Sequence, residues 1–167
     1  MCWKCDNPDR SHADYLATVQ GSMDQHRWAV QYVESGRPHS PWAYTVGLTR
    51  LGHAELVVTG LPVRRATAYL NAVGDYAVST SALMAGDTFA LGDEVFFDIV
   101  EVDHPSLHLR VAVDLLGRHL HALQLVWRDD RGKTPWDKGF RSGRWNQPVL
   151  GCRPDPRPTD GKRRPAT

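Results

Sequence analysis

The stretch that decides the fold is "WAYTVGLTRLGHAELVVTGL" (42–61). Its two halves, "WAYTVGL" (42–48) and "ELVVTG" (55–60), are rich in β-branched and aromatic residues, the composition typical of strands. Gly52 marks a turn between them, and the connection is short enough for the two segments to pair as antiparallel neighbours. We therefore predict a hairpin at the centre of the fold and place the other elements around it.

Before the hairpin, the sequence predicts one helix and one strand. Ser11 is followed three residues later by Asp14, a capping-box-like start, and apolar residues then recur at helical spacing over about 12–25. The segment "WAVQYVE" (28–34) instead places its apolar residues on alternate positions, the period of two expected of a strand.

After the hairpin, a second helix is predicted over about 62–78, because proline suits the first helical turn and the apolar pattern keeps the helical period. Two strands follow, "EVFFDIVEVD" (94–103) and "HLHALQLVW" (119–127). The segment between them, 106–117, fits both periods, and the glycine at its end favours a helix. Since strands and helices are mixed without a regular βαβ rhythm, we predict one α+β domain with a largely antiparallel sheet and two or three helices.

Length and composition indicate a folded globular protein. The chain has 167 residues, of which 41% are hydrophobic and 23% charged, enough to bury one core. Its apolar runs are too short to cross a bilayer, and its first twenty residues lack a basic stretch followed by an apolar one. We therefore expect a cytoplasmic protein with no membrane partner, in which the three cysteines are not a disulfide framework.

The segment 153–167, "RPDPRPTDGKRRPAT", differs from the rest of the chain in charge. It has five basic and two acidic residues, a net charge of +3 (5 − 2), whereas the remainder carries −2 (15 − 17). Because this proline-rich segment has almost nothing to bury, we predict a disordered basic tail after a domain that spans 1–152. So few exposed charges give at most loose, salt-sensitive binding to phosphates, which makes a nucleic-acid partner unlikely.

Several motifs together resemble the bacterial domain-of-unknown-function family 4262. They are "CWKC", "RWAVQYVE", the hairpin stretch, "ALQLVW" followed by "DDRGKTPW", and "NQPVLG", which cover about residues 2–151. The sequence departs from the family pattern at Ala54 and Arg128, where prolines are expected, and neither position carries obvious chemistry. The resemblance implies a soluble, mainly bacterial single domain and implies no particular activity, cofactor or catalytic residue.

A candidate ligand pocket is indicated by polar and aromatic residues set among apolar neighbours and in the later loops. Gly47 is predicted inside a strand, where glycine costs stability unless a bulge, a close backbone or a ligand needs the space. A concave site lined by aromatic rings and a few polar groups suits a small ligand, and the alternative is that these residues simply fill the core. The candidate residues are Tyr44, Thr45, His53, Glu55, Trp136 and Gln147.

Two pairs with two-residue spacing form a second set of candidates. His119 and His121 would share one face of a strand, as would His53 and Glu55 if the third strand begins early. Each pair could present two metal ligands, or an acid and its base. The alternative is a histidine hydrogen-bonded to the backbone at a strand edge.

The chain opens with "MCWKCD", whose two cysteines have the spacing of half a tetrahedral zinc site. Cys2, Cys5 and Cys152, closed by His12 or His26, could hold zinc if the two ends of the domain meet. A redox dithiol is a second interpretation, and cysteines packed as small hydrophobes are the third.

Two classes of function stay open at this point. The first is a small-molecule-binding or weakly enzymatic domain with its pocket near the "WAYTVGL" strand, and the second is an interaction module that docks a protein partner through its N-terminal cysteine element. The sequence contains no G-x-S-x-G, P-loop, Rossmann glycine set or H-E-x-x-H motif. We favour the first class, because buried polar residues are costly unless they are used.

Overall fold

A six-stranded sheet runs through the computed structural model, which describes residues 8–34, 36, 39–140 and 146–155. The strand order is β1-β2-β3-β6-β5-β4. Neighbouring strands are antiparallel except for the central pair β3 and β6, which is parallel. The strands are β1 Ala29–Val33, β2 Trp42–Val46, β3 Glu55–Thr59, β4 Thr88–Leu91, β5 Val95–Glu101 and β6 Ala122–Trp127.

Helices cover both faces of this sheet. They are α1 His12–His26, α2 Val63–Ser79, α3 Pro105–His108 and α4 Arg110–Leu116, with a 3₁₀ helix at Leu48–Leu51. Helix α2 packs on one face against β1, β2 and β3, and α1 and α4 pack on the opposite face. The predicted α+β class with a largely antiparallel sheet is therefore confirmed. Among the described helices, none combines the length and the apolar character that a membrane span requires.

The main elements predicted from periodicity are confirmed. Strands β2 and β3 form the expected antiparallel pair, in which Trp42 lies opposite Thr59. Helix α1 begins with the expected capping box, since the Ser11 side chain accepts from the Asp14 amide at 3.2 Å and the Asp14 carboxylate accepts from the Ser11 amide at 2.8 Å. The ambiguous segment 106–117 is mainly helical, with α3 and α4 separated at Leu109 and Gly117 after the end of α4.

Two strand boundaries next to candidate residues differ from the prediction. Strand β2 ends at Val46, so Gly47 lies in a turn instead of inside a strand. Strand β6 begins at Ala122, so the segment 119–121 precedes it, whereas β3 begins at Glu55 as predicted and His53 lies outside it. Strand β4 was not predicted, since its four residues at the sheet edge are too few to show a period.

Two glycines allow Trp28 to enter the core beside α2. Gly47 has φ +127°, and a Cβ there would lie 2.9 Å from the Arg27 carbonyl oxygen, so a close backbone accounts for this glycine. In α2, a Cβ on Gly74 would lie 3.1 Å from the Trp28 ring. The indole N–H of Trp28 donates to Asn71 at 3.0 Å, which fixes the ring against the helix.

Residues 146–151 form a strap over the end of the sheet where β3 finishes. The Pro148 carbonyl accepts from the Thr59 hydroxyl and from the Gln124 amide, each at 2.8 Å. The Leu150 amide in turn donates to Gln124 Oε1 at 2.7 Å. A Cβ on Gly60 would lie 1.7 Å from the Asn146 carbonyl oxygen, so only glycine allows the strap to pass this close.

The predicted zinc ligands and the predicted disordered tail fall largely outside the described residues. Cys2 and Cys5 lie there, as does the segment 156–167 of the predicted tail. Cys152 is described and is an exposed free thiol.

Candidate functional site

A cavity of about 370 Å³ lies at the end of the sheet where the central strands β3 and β6 begin. Because these strands are parallel and Glu55 lies opposite Ala122, the segments that precede both strands reach the same edge. The Glu55 amide donates to the His121 carbonyl at 2.9 Å and holds the two segments together. The lining residues are Thr49, Gly52, His53, Ala54, Leu56, Ala77, Ala82, Leu83, His119, His121 and Leu123.

Three histidines that the sequence placed in two separate pairs line this single cavity. His53 is half-buried, and His119 and His121 are exposed at its margin. The two-residue spacing did not predict this juxtaposition, since none of the three lies on a strand. It arises from the parallel pairing of β3 with β6, which connects parts of the chain that are distant in sequence.

Two polar atoms of the lining are buried and lack a hydrogen-bond partner within the described residues. They are Nδ1 of His53 and Oγ1 of Thr49. A buried polar group left unpaired typically costs about 1–3 kcal/mol. Nε of Arg128 is also buried without a partner, but Arg128 does not line the cavity. Because almost none of the surface of the His53 and Thr49 atoms is accessible, neither atom faces the open space of the cavity.

Glu55, a predicted site residue, is fully buried, and its carboxylate holds the turn before it. Oε1 accepts from the amides of Gly47 at 2.9 Å and Thr49 at 3.0 Å. Oε2 accepts from the Thr45 hydroxyl at 2.6 Å, and the same hydroxyl accepts from the Leu56 amide at 2.8 Å. Glu55 and Thr45 therefore position the turn that carries Thr49, and their polar atoms are already engaged.

Tyr44 lies on the opposite face of the sheet, in the core formed with α1 and α4. Its hydroxyl accepts from the Val111 amide at 3.3 Å. Burial raises the pKa of Tyr44 to about 12, so the phenol is neutral at physiological pH.

Trp136 and Gln147 also lie away from the cavity lining. The side-chain amide of Gln147 is hydrogen-bonded to the backbone of Trp127. The Trp136 ring lies 5.1 Å from the Arg153 guanidinium carbon. Of the six predicted pocket residues, His53 alone lines the cavity, while Thr45 and Glu55 support it from the adjacent turn.

The part of the chain that the structure describes contains no cluster of metal ligands. No group of three or more histidine, cysteine, aspartate or glutamate side chains there is arranged to hold a metal ion, and this includes the three cavity histidines. The predicted zinc ligands Cys2 and Cys5 lie outside the described residues.

Sequence reasoning missed Thr49 and the apolar wall of the cavity. Thr49 lies in the 3₁₀ helix, in a segment predicted only as a turn, and Leu83 follows the end of α2. We find no sequence signal for either residue, because the burial of Thr49 and the position of Leu83 beside the cavity arise only in the folded chain.

The sheet, its two helical layers and the histidine-lined cavity define an α+β domain whose site lies at the start of a central parallel strand pair. The family model described as "Domain of unknown function (DUF4262)" matches residues 22–141, more than half of the chain. The chain belongs to this family, and the matched region includes every residue that lines the cavity. No curated protein and no solved structure matches the chain.

Proposed function

We propose that this domain binds a small molecule in the cavity between the starts of β3 and β6. The observation that carries the proposal is the cavity itself, in which the parallel pairing of β3 with β6 brings His53, His119 and His121 together with apolar side chains. A concave site with a few polar groups among apolar ones is typical of small-molecule binding.

The size and the walls of the cavity also support a small ligand. A volume of about 370 Å³ lies at the lower end of the range of known ligand sites. Leu56, Leu83 and Leu123 contribute apolar surface to the lining, and the polar groups are few. This combination favours a compact ligand with an apolar body and one polar end.

Weak enzymatic activity is a narrower form of the same proposal. A histidine that contacts a bound ligand can donate or accept a proton. Proton transfer at this site would fall to a histidine of the lining, His53, His119 or His121, because the Glu55 carboxylate already accepts three hydrogen bonds from its own chain. Binding is the first thing to test, since catalysis requires it.

The experiment is native mass spectrometry of the purified full chain after incubation with metabolite mixtures. Leu83→Trp places a larger side chain in the cavity wall, and Met84→Trp makes the same addition at the exposed neighbouring residue, which does not line the cavity. We expect the wild type and Met84→Trp to retain the same adduct and Leu83→Trp to lose it. Equal retention by all three proteins would place the ligand elsewhere.

The alternative, a protein-interaction module with a zinc-binding N-terminal element in a bacterial cytoplasmic protein, stays a prediction that rests on sequence. Its metal ligands would be Cys2 and Cys5 together with Cys152, which is exposed. Elemental analysis of the purified protein beside thiol titration tests it. Zinc in equal proportion to the chain, with thiols protected until it is chelated, would favour this alternative.

A further inference from the structure

We infer that the outer edge of strand β1 is a dimerisation surface, to which the β1 strand of a second copy of this chain adds in antiparallel orientation. The two-fold axis passes between the two copies of Gln31, and the sheet continues from one copy into the other. No residue of β1 lines the cavity, so the inference goes beyond the proposed function and does not depend on it.

Strand β1 forms one edge of the described sheet, with β2 as its neighbour. In an antiparallel ladder, alternate residues direct their backbone groups to opposite sides of the strand. The Gly60 amide donates to the Pro41 carbonyl at 2.7 Å, so the backbone groups of Pro41 point toward β3. Three residues further along, the backbone groups of Tyr44 therefore point the other way, toward β1.

This register determines which residues of β1 offer hydrogen-bonding groups at the outer edge. Tyr44 lies opposite Gln31, so the backbone groups of Gln31 pair with β2, and those of its neighbours Val30 and Tyr32 point outward. Within the described residues, no backbone group is hydrogen-bonded to the main chain of Val30 or Tyr32 on that side. The edge thus presents the N–H and C=O groups of both residues to a further strand.

These outward groups are complementary to a second copy of themselves. With the two-fold axis at Gln31, Val30 of one copy lies opposite Tyr32 of the other, and such a pair exchanges N–H···O bonds in both directions. The axis generates the equivalent pair on its other side, so every outward group of Val30 and Tyr32 finds a partner. A contact of this kind closes at two copies, and two-fold dimers are the commonest soluble oligomers.

The charges along the strand also favour a second copy as the partner. No charged residue lies within β1, so identical strands meet there without like-charge repulsion. Arg27 precedes the strand and Glu34 follows it. Antiparallel pairing therefore brings the Arg27 end of each copy beside the Glu34 end of the other, where the opposite charges attract.

The opposite edge of the sheet, strand β4, is less suited to the same contact. It has four residues, with Asp87 before it and Asp93 and Glu94 after it. Antiparallel pairing of β4 with a copy of itself would bring these acidic ends together, and charges at an edge are a common protection against unwanted pairing. The comparison selects β1 as the edge that a second copy covers.

The first test is sedimentation equilibrium of the full chain over a range of concentrations. A reductant is present, because the exposed Cys152 thiol can otherwise join two chains by a disulfide. We expect a reversible equilibrium between monomer and dimer. Val30→Pro removes the outward N–H and keeps the bonds to β2, so it should raise the dissociation constant of the dimer at least about tenfold.

A matched proline on the other edge serves as the control. The Ile99 amide donates to the Asp87 carbonyl at 2.9 Å, so Asp87 directs its backbone groups toward β5 and Ala90, three residues later, directs its N–H outward. Ala90→Pro therefore makes the corresponding change on β4. It should leave the dissociation constant unchanged.

A pair of charged variants at the axis tests the register and leaves the backbone unaltered. Gln31 faces its own copy, and the Cβ atoms of such a pair are about 4.5–5.5 Å apart. Gln31→Glu keeps an acceptor for the Tyr15 hydroxyl, and both Gln31→Glu and Gln31→Lys place two like charges at the axis. Each variant alone should dissociate at least about threefold more readily than the wild type. In an equimolar mixture, native mass spectrometry with one variant ¹⁵N-labelled should find heterodimers in excess of either homodimer.

The other outcomes overturn the inference. A wild type that stays monomeric at every concentration leaves the β1 edge to a different partner. A dimer that Val30→Pro and Ala90→Pro weaken equally, or in which the two Gln31 variants show no preference for each other, has its interface elsewhere. If Val30→Pro does not fold, the Gln31 variants decide. None of these outcomes bears on ligand binding in the cavity, which the experiment with Leu83→Trp tests separately.

Discussion

The side-chain amide of Gln147 pairs with the backbone of Trp127 as a residue of a neighbouring strand would. Gln147 Oε1 accepts from the Trp127 amide at 2.8 Å, and Gln147 Nε2 donates to the Trp127 carbonyl at 2.9 Å. Gln147 is fully buried, so both bonds are made away from water. This residue therefore attaches the strap, residues 146–151, to the end of β6.

Replacing Gln147 should destabilise the domain. In Gln147→Leu the backbone N–H and C=O of Trp127 lose their partners, and each buried group left unpaired costs about 1–3 kcal/mol. We expect the free energy of unfolding in urea to fall by at least about 2 kcal/mol. Asn146→Ala, at the exposed neighbouring position, serves as the control and should change it by less than about 0.5 kcal/mol. Equal values for the two variants would contradict this account of the strap.

Glu55 should matter for stability more than any other predicted site residue in the hairpin. Glu55→Ala leaves the buried Gly47 amide, the Thr49 amide and the Thr45 hydroxyl without their acceptor. We expect a loss of at least about 3 kcal/mol in thermal or urea unfolding. Glu101→Ala changes an exposed carboxylate on β5 and should cost less than about 0.5 kcal/mol. A mild effect of Glu55→Ala would show that the turn does not depend on this carboxylate.

Thr49→Val, unlike Glu55→Ala, should not destabilise the domain. The Thr49 hydroxyl is buried without a partner among the described residues, so a methyl group of the same shape removes a desolvation penalty and no hydrogen bond. We expect the melting temperature of the ligand-free protein to stay the same or rise slightly. A clear fall in the melting temperature would indicate that the hydroxyl has a structural partner.

Tyr44 should make the domain sensitive to alkaline pH. Burial raises its pKa in the folded protein to about 12, against the ordinary value of 10.0 for a tyrosine. Its contribution is thus complete below pH 10 and is lost as pH rises from 10 to about 12, because the unfolded state releases the proton first. The loss should be roughly 2–3 kcal/mol over that range. In Tyr44→Phe, urea unfolding between pH 10 and 12 should show a smaller decline than in the wild type, and an equal decline would assign the effect to other groups.

A short and a longer truncation of the C-terminal region should have very different effects on stability. Removal of 156–167 should leave the melting temperature nearly unchanged, because this proline-rich, basic segment has a composition with little to bury. Removal of 146–167 also removes the strap and leaves the side chains of Gln124 and Thr59 without the Pro148 carbonyl. We expect this longer truncation to unfold the domain or to lower its melting temperature strongly. If both truncations had the same mild effect, the strap would not be required.

The sequence predicted those parts of the fold that depend on local periodicity. The capping box at Ser11, the hairpin of β2 and β3 and the long helix α2 all appear as patterns within a short window. The candidate site was predicted less well, because sequence shows that Glu55 and Gln147 are polar but does not show which donors and acceptors they meet. Their partners are the amides of a turn and the backbone of a distant strand, which only the folded chain brings into place.

The cavity was beyond sequence analysis for a related reason. His53 and His121 become neighbours through the parallel pairing of β3 and β6, and no local pattern encodes which strands pair across a long connection. The two-residue spacing of His119 and His121 predicted a shared strand face, but neither residue lies on a strand, although both line the cavity.

The central pair of strands also sets the order in which the protein can fold. The hairpins β1–β2, β2–β3 and β4–β5 join strands that follow one another along the chain, so they can form early. The pairing of β3 with β6 must close a loop that contains α2, β4, β5, α3 and α4, and long-range closures of this kind are slow. The cavity exists only once that closure is complete. A ligand that binds there would therefore report the closure of β6 onto β3, and would favour the closed chain over intermediates that lack this pairing.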